Sequence, residues 1–233
     1  MPPTRDERKQ LVADGYDRMS DRYAAWAAQI EGDPRDRMIT ELTRRLPLGG
    51  RLLDLGCGSG VPSTKVLAEQ FEVVGVDFST AQIERARVNV PTAEFLVADL
   101  TEVEFPDASF DAVTAFYALD HVPREQHRAL FSRVARWLVP DGLFLASTGH
   151  KDEANWTGEW LGVPTYFSSH APDVTRRLLA DAGFELEIDE IVEIVEPEGA
   201  ESFLWILARE AGPLSPARTV RGDESRTDAS PGC

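Results

Sequence analysis

The chain has 233 residues, 42% of them hydrophobic and 27% charged, a composition that suits one globular domain with a substantial core. Its 40 acidic and 24 basic residues give a net charge of −16, which disfavours binding to nucleic acid and to anionic membrane surfaces. No apolar run reaches the length of a membrane span, and the polar N-terminus has no signal-peptide pattern. The two cysteines show no metal-ligand spacing, so we expect a cytoplasmic protein that binds no metal.

Two helices are expected before the first strand. Apolar and aromatic side chains recur every three or four residues over 5–30, and a second helix is predicted over 34–46. Tyr16 and Tyr23 lie on the first helix and would contact a ligand if this helix closes over a binding site. A plain packing helix is the alternative. We therefore predict an N-terminal helical lid over 1–48.

A glycine-rich turn follows the first predicted strand, 51–55. Gly56, Gly58 and Gly60 occupy every second position there, and their missing side chains let backbone N–H groups approach a ligand. A dinucleotide site would instead need a third glycine one position later, where a valine stands. Asp54, two positions before the first glycine, would repel a diphosphate and could accept hydrogen bonds from an ammonium group. The pattern indicates a nucleotide cofactor other than a dinucleotide.

This stretch resembles motif I of the class I S-adenosylmethionine-dependent methyltransferases, an acidic residue followed by x-G-x-G-x-G. Further segments match the family's later motifs in the same order: 73–79, 95–100, 109–114 and 138–145. The resemblance covers roughly 40–210. Within the family, the chain most resembles the small-molecule group, which includes quinone-biosynthesis and bacterial natural-product enzymes. It implies S-adenosylmethionine as the cofactor, S-adenosylhomocysteine as its product, and in-line methyl transfer.

The resemblance also implies a set of cofactor-binding residues. Asp77 lies 21 positions after Gly56, a separation that suits a carboxylate holding the ribose hydroxyls. Asp99 and the residue after it correspond to the family's adenine contacts, and Asp54 to the contact with the amino group. The complete predicted set is Asp54, Gly56, Gly58, Gly60, Asp77, Phe78, Asp99, Leu100 and Phe116.

The alternation of strands and helices predicts an α/β fold. We expect a Rossmann-like, doubly wound parallel sheet. The resemblance adds that the sheet has seven strands and that its last strand inserts antiparallel. The cofactor-binding domain should span 49–210, and the residues from 211 to 233, rich in proline, glycine and serine, should form a disordered tail.

An aromatic insert at about 150–171 follows the fifth predicted strand. It lacks clean periodicity, and its position favours a substrate pocket over a loop that merely covers the sheet edge. The predicted substrate-binding residues are Tyr16 and Tyr23 from the first helix and Trp156, Trp160, Tyr166 and His170 from the insert.

Two histidines are candidates for a catalytic base. His121 follows the fourth strand and His150 follows the fifth, so both should face the ligand crevice. His121 could equally have an architectural or cofactor-positioning role. His127, within the predicted helix that follows, is expected at the surface.

These features favour methyl transfer to a hydroxyl or carboxyl oxygen of a small molecule, a bacterial metabolite or natural product. Nitrogen and carbon acceptors remain open, as does a protein of this fold that binds the cofactor without transferring methyl. A nicotinamide-dependent reductase is disfavoured because no Tyr-x-x-x-Lys pair is present. The sequence leaves monomer and homodimer open.

Overall fold

The computed structural model describes residues 4–211, so the predicted tail lies outside the described residues from residue 212 onward. The helices are α1 (Arg5–Ala27), α2 (Arg35–Thr43), α3 (Ser63–Leu67), α4 (Thr80–Asn89), α5 (His127–Trp137) and α6 (Pro172–Asp181). The strands are β1 (Arg51–Leu55), β2 (Glu72–Asp77), β3 (Glu94–Val97), β4 (Phe110–Ala115), β5 (Leu138–Gly149), β6 (Glu153–Trp160), β7 (Val163–Ser169), β8 (Phe184–Glu196) and β9 (Gly199–Glu210). Two short 3₁₀ turns, Leu119–His121 and Arg124–Gln126, precede α5.

Seven strands form one sheet in the order β3-β2-β1-β4-β5-β9-β8. Strands β1 to β5 pair in parallel, whereas β9 lies antiparallel between β5 and β8. The strand order reverses between β1 and β4, and a doubly wound sheet binds its ligand at the carboxyl ends of the strands beside such a reversal. The predicted fold class is confirmed.

Each face of the central strands packs against its own layer of helices. Leu53 contributes to a core with Phe131 of α5, whereas its neighbour Leu52 contributes to a second core with Leu42 of α2. This division follows from the pleat, because successive side chains of a strand point to opposite faces. Both leucines are fully buried, so the strand that carries the glycine loop has a fixed register.

The N-terminal helix α1 begins with a capping box. The Thr4 hydroxyl accepts a hydrogen bond from the Glu7 N–H, and the Glu7 carboxylate accepts one from the Thr4 N–H. The helix packs against β7, where a Cβ at Gly15 would lie 3.3 Å from the Pro164 carbonyl oxygen. This close approach holds α1 over the carboxyl ends of the central strands.

The aromatic insert forms a two-stranded antiparallel sheet, β6 with β7, rather than the irregular loop that its sequence suggests. Trp156 pairs with Phe167 across this hairpin, and Trp160 pairs with Val163 beside the turn. Both faces of the hairpin carry apolar and polar residues, so the period-two pattern that identifies a strand is weak.

The predicted helix that contains His127 is preceded by a 3₁₀ turn at Arg124–Gln126 and becomes α-helical only at His127. The prediction that His127 lies at the surface is wrong. Its ring is 2% exposed, and its Nε2–H donates to the carbonyl oxygens of Leu119 (3.0 Å) and Val122 (3.1 Å). Burial lowers the pKa of His127 to about 4. The histidine therefore anchors the preceding turn as a neutral donor.

No helix within residues 4–211 has the length and hydropathy to span a membrane.

Candidate functional site

The glycine loop turns sharply at the end of β1. Gly56, Gly58 and Gly60 have φ angles of +72°, +53° and +77°, a region that other residues rarely adopt. The N–H groups of Gly56 and Cys57 donate to the Val76 carbonyl oxygen at 2.7 and 3.1 Å, which ties the loop to β2. A Cβ at Gly56 would lie 2.3 Å from the Ala118 Cβ, so only glycine fits there.

Asp77 lies at the end of β2 and faces the glycine loop. Its Oδ2 accepts a hydrogen bond from the Gly58 N–H and its Oδ1 one from the Ser79 N–H, both at 2.9 Å. Burial raises the pKa of Asp77 to about 6, although these two hydrogen bonds act in the opposite direction. Ser79 caps α4, as its position predicts, and accepts from the Gln82 N–H. Ser79, and not Asp77, therefore provides the cap of α4.

A cavity of about 700 Å³ lies between the glycine loop, the ends of β2 to β4 and α1. Seven of the nine predicted cofactor-binding residues line it: Gly56, Gly58, Asp77, Phe78, Asp99, Leu100 and Phe116. The structure thus brings together residues that are up to 60 positions apart in the sequence.

Two predicted cofactor residues do not line this cavity. Asp54 is 2% exposed, and its oxygens accept hydrogen bonds from the hydroxyls of Thr64 (2.6 Å) and Thr114 (2.7 Å). Gly60 turns the loop toward α3 and packs against Val90. Burial raises the pKa of Asp54 while the two threonine hydroxyls lower it. In this structure Asp54 holds β1, α3 and β4 together.

Asp99 meets an unpredicted partner, Lys9 of α1. The Lys9 Nζ lies 2.6 Å from Asp99 Oδ2, and Asp99 Oδ1 accepts from the Thr101 N–H and hydroxyl, both at 2.7 Å. Lys9 is almost fully buried and lines the cavity. A lone lysine on an amphipathic helix gives no sequence signal for this role, because the pairing depends on how α1 packs.

Helix α1 is held over the site by further hydrogen bonds. Asp17 Oδ1 accepts from the Ser79 hydroxyl at 2.5 Å and from the Ala81 N–H at 3.1 Å. The Tyr16 hydroxyl and the His121 Nε2 are 2.8 Å apart. These contacts connect α1 to the turn after β2 and to the turn after β4, on opposite sides of the cavity.

The hydrogen bonds of His121 fix its tautomer. Its Nδ1 lies 3.1 Å from the Tyr166 carbonyl oxygen, which can only accept, so Nδ1 carries the proton. Burial lowers the pKa of His121 to about 4, and the ring is neutral at physiological pH. The Nε2 atom therefore accepts from the Tyr16 hydroxyl. Burial also raises the pKa of Tyr16, which keeps this hydroxyl protonated in the resting state.

A second cavity, larger and open to solvent, adjoins the first. It encloses about 1380 Å³, including space open to solvent. Four residues line both cavities: Tyr16, Tyr23, Tyr117 and His121. His150, the other predicted base, lines only the second cavity, and its Nδ1–H donates to the Ser202 carbonyl oxygen at 2.8 Å. Its Nε2 remains available as an acceptor.

One wall of the second cavity is aromatic. Trp160 lies at its centre, with ring centroids 5.1 Å from Trp26, 5.5 Å from Phe167 and 6.0 Å from Tyr23. Four of the six predicted substrate-binding residues line this cavity: Tyr16, Tyr23, Trp156 and Trp160. The packing partners Trp26 and Phe167 belong to the same wall.

Tyr166 and His170 do not reach either cavity. Tyr166, in strand β7, is fully buried, and its hydroxyl donates to Asn155 Oδ1 at 3.2 Å. His170 donates from Nε2 to the Arg124 carbonyl oxygen at 3.1 Å. Both side chains fasten β7 to its surroundings.

Sequence reasoning also missed polar residues on the cavity walls. Arg35 forms an ion pair with Asp33 at 3.0 Å and lies over the Tyr117 ring, yet its buried Nε has no hydrogen-bond partner. Asp120 directly precedes His121 and lines the second cavity. Asp120 could have been found from its place after a strand, as His121 was. Arg35 precedes the first strand by many residues and gives no such signal.

The first cavity fits S-adenosylmethionine. No atom lies within 4 Å of a Cβ built on Gly58, so the loop leaves open space beside Asp77. The carboxylate of Asp77 suits ribose hydroxyls, and the free Nε of Arg35, a residue of the adjoining second cavity, suits a carboxylate. Among the described residues, no group of three or more His, Cys, Asp or Glu side chains could hold a metal ion.

Comparison with known proteins gives consistent results. Residues 52–142 match the family model described as "Methyltransferase domain". The 27-O-demethylrifamycin SV methyltransferase of Amycolatopsis mediterranei is 34% identical over 153 residues, 56% of this chain and 55% of that protein. The trans-aconitate 2-methyltransferase of Variovorax paradoxus is 39% identical over 116 residues, 48% of this chain and 44% of that protein. These findings support a class I S-adenosylmethionine-dependent methyltransferase.

A solved methyltransferase structure supports the same fold over most of the chain. The 1,6-didemethyltoxoflavin-N1-methyltransferase of Burkholderia thailandensis, solved with its namesake ligand and S-adenosylhomocysteine, has a TM-score of 0.71 and 19% identity. The match covers 91% of this methyltransferase and 92% of that chain. By contrast, the alignments span about half the length of the two curated relatives, 55% and 44%.

Proposed function

We propose that this protein transfers the methyl group of S-adenosylmethionine to an oxygen atom of a small-molecule acceptor. The observation that carries the proposal is the junction of the two cavities at Tyr16, Tyr23, Tyr117 and His121. A cofactor in the first cavity and an acceptor in the second would meet there. The net charge of −16 favours a small molecule over nucleic acid as the acceptor.

The cofactor would be held mainly by groups from strand ends. Asp77 would accept hydrogen bonds from the ribose hydroxyls, and the open face of Gly58 would adjoin the cofactor backbone. Asp99 and Leu100 would border the adenine, as the family resemblance implies. The buried, unpartnered Nε of Arg35 would donate to the carboxylate of the methionine part.

When bound, S-adenosylmethionine supplies an electrophilic methyl group on a sulfonium. The residues at the junction would align the acceptor oxygen with that methyl and exclude water. Alignment alone can supply a large rate advantage, with effective molarities on the order of 10⁵–10⁸ M in well-oriented systems. The aromatic wall and α1 enclose the junction and would provide this alignment.

Tyr16 and His121 would handle the proton of a hydroxyl acceptor. The acceptor O–H would donate to the Tyr16 oxygen while Tyr16 transfers its own proton to Nε2 of His121. The Tyr166 carbonyl, which accepts from Nδ1, would stabilise the resulting imidazolium. Because burial lowers the pKa of His121 to about 4, this relay suits relatively acidic hydroxyls such as phenols and enols.

His150 is the alternative base. Its free Nε2 lines the acceptor cavity, but His150 does not line the junction. Replacing each histidine separately with alanine distinguishes the two. We expect His121→Ala to lower kcat about 100-fold and His150→Ala to lower it by less than about fivefold, since general acid–base groups contribute about 10²–10⁴-fold.

The proposal is tested in two steps. Calorimetric titration with S-adenosylmethionine, S-adenosylhomocysteine and NADPH should show micromolar binding of the first two and none of the third. Incubation with methyl-tritiated S-adenosylmethionine and a panel of phenols, alcohols, amines and carboxylic acids should then label a hydroxyl compound. Labelling only at nitrogen or carbon would contradict the oxygen assignment. Cofactor binding without any labelled product would favour a protein that binds the cofactor without transferring methyl.

A further inference from the structure

Asp120 occupies a position in the acceptor cavity that the proposed methyl transfer does not use. It lies in the 3₁₀ turn Leu119–His121 and is 7% exposed. It lines the second cavity but not the first, so it lies on the acceptor side, next in the chain to the junction residue His121. A ligand contact from Asp120 would therefore reach the acceptor and not the cofactor.

Only one oxygen of this carboxylate is occupied. Asp120 Oδ1 accepts hydrogen bonds from the Thr148 hydroxyl and the Gly149 N–H, both at 2.7 Å, which fastens the turn to the end of β5. Within residues 4–211, Oδ2 accepts no hydrogen bond, although it belongs to a side chain more than nine-tenths buried. An ionised oxygen that faces an enclosed cavity without a donor attracts a cationic hydrogen-bond donor, because charge-assisted hydrogen bonds are the stronger kind.

The charge of the cavity wall points the same way. Asp120, Glu153, Glu196 and Glu201 line the cavity together with two cations, Lys151 and Arg35. Lys151 pairs with Glu201 at 2.7 Å, and Arg35 pairs with Asp33, which does not line the cavity, at 3.0 Å. Each lysine and arginine of the described chain on this wall is therefore already paired with a carboxylate, and the remaining Nε of Arg35 is the group proposed to bind the cofactor.

The excess of negative charge contributes to a raised pKa of Glu196. It lies at the end of β8, beside the tip of the β8–β9 hairpin. Burial, together with the neighbouring carboxylates of Glu201 and Glu198, raises the pKa of Glu196 to about 7. A cation bound in the cavity would relieve the repulsion among these groups.

Another part of the cavity lining consists of aromatic rings. Trp160 and Tyr23 pack edge to face with centroids 6.0 Å apart, and Tyr23 stacks on Trp26 at the same distance. The faces of such rings attract cations, most strongly when the cation is removed from water. The cavity therefore combines an aromatic wall with a buried, partly unpaired carboxylate.

We propose that the acceptor carries a protonated amine and that Asp120 binds this ammonium group through Oδ2. Glu196 and the aromatic wall would favour the same charge, while the hydroxyl to be methylated would lie at the junction beside Tyr16. The acceptor is then a hydroxylated amine, and carboxylate-bearing acceptors are rejected. This inference rests on the proposed methyl transfer and specifies its substrate class.

The experiment uses two series of ligands that share a phenolic hydroxyl and differ only in the group at the far end. The first series is tyramine, tyrosol and para-hydroxyphenylacetate, and the second is serotonin, hydroxytryptophol and hydroxyindoleacetate. Each compound is titrated into the full-length protein saturated with S-adenosylhomocysteine. In at least one series we expect the amine to bind about tenfold or more tightly than its alcohol, and the acid to bind most weakly.

Asp120→Asn is the decisive variant. Its amide oxygen can still accept from Thr148 and Gly149, but an NH₂ group replaces the oxygen that faces the cavity. We expect the preference for amine over alcohol to fall about tenfold while the melting temperature and the affinity for S-adenosylhomocysteine stay unchanged. Asp141→Asn removes the same charge from an exposed turn near the start of β5, at φ +64°, which asparagine tolerates. This control should keep the full preference.

The outcomes separate the two proposals. If S-adenosylhomocysteine itself does not bind, the proposed function fails. If it binds but the amines bind no better than their alcohols, or do not bind at all, the amine inference is overturned and the proposed function stands. A preference that survives unchanged in Asp120→Asn would overturn the role of Asp120.

Discussion

The two cavities of this protein are built in different ways. The cofactor cavity is formed mainly by turns that directly follow strands β1 to β4, and its glycine loop is bound locally, as by the hydrogen bond from Gly58 to Asp77, 19 positions away. The acceptor cavity depends more on side chains far apart in sequence. His150 binds the Ser202 carbonyl across 52 positions, and Trp26 meets Glu198 across 172. Short motifs can therefore specify the first cavity, whereas the second depends on tertiary packing.

The largest expected effect is a loss of cofactor affinity from a change on the cofactor side alone. Asp77→Ala removes the carboxylate proposed to bind both ribose hydroxyls, and hydrogen bonds to charged groups contribute about 1.5–3 kcal/mol each. We expect the affinity for S-adenosylhomocysteine to fall about 100-fold in calorimetric titration. The matched control Asp141→Asn should bind normally. An unchanged affinity in Asp77→Ala would show that the ribose assignment is wrong.

Substitution of Arg35 tests whether this residue contributes to cofactor binding or to acceptor binding. It lines the acceptor cavity, yet we propose that its unpartnered Nε binds the cofactor carboxylate. Arg35→Ala should weaken S-adenosylhomocysteine binding about 30-fold, equivalent to about 2 kcal/mol. Arg37→Ala, which removes an exposed arginine paired with Glu190, is the control and should have no effect. If Arg35→Ala instead weakens only acceptor binding, Arg35 belongs to the acceptor side.

The same contrast explains what could be predicted from the sequence. Strand β1 spans the predicted residues 51–55, and seven of the nine predicted cofactor residues line one cavity, because periodicity and turn glycines are local signals. The sequence does not predict the β6–β7 hairpin, in which Trp156 pairs with Phe167, because apolar and polar residues do not alternate clearly along either strand. Tyr166, a predicted substrate-binding residue, lines neither cavity. An aromatic residue in a strand can face either side, and only the register decides.

Tertiary contacts set the environment of some polar residues in ways that the sequence does not show. His127 looked exposed on its helix, but carbonyl groups of the preceding turn bury and bind its ring. Asp54 fits the motif I pattern, yet two threonines from α3 and β4 occupy its oxygens. Neither threonine belongs to the motif. Side-chain partners contributed by other elements are therefore the main information that this sequence did not provide by itself.

A change confined to the acceptor side should leave the cofactor side intact. Trp160 contacts rings from both α1 and β7, so Trp160→Ala removes the centre of the aromatic wall. We expect the KM for the acceptor to rise about tenfold, with the affinity for S-adenosylhomocysteine changed less than about twofold. Trp156→Ala, at the 39%-exposed rim, should have a smaller effect on KM. Equal losses of cofactor and acceptor binding in Trp160→Ala would contradict the independence of the two cavities.

The smallest expected effect is a pH dependence that belongs to the cofactor side. Burial raises the pKa of Asp77 to about 6, and ribose binding needs the ionised form, so affinity should fall as the pH drops through 6. With that pKa, about a quarter of the carboxylate stays ionised at pH 5.5, which predicts a roughly fourfold weaker affinity for S-adenosylhomocysteine than at pH 7.5.

Asp120 has a similarly raised pKa of about 6, but it lies on the acceptor side and should not affect a titration performed without acceptor. Asp120→Asn should therefore show the same pH dependence as the unmodified protein. Thermal melting at each pH serves as the control for unfolding. A flat affinity between pH 7.5 and 5.5 would mean that Asp77 binds the cofactor equally well when protonated, and that its charge does not contribute to recognition of the ribose.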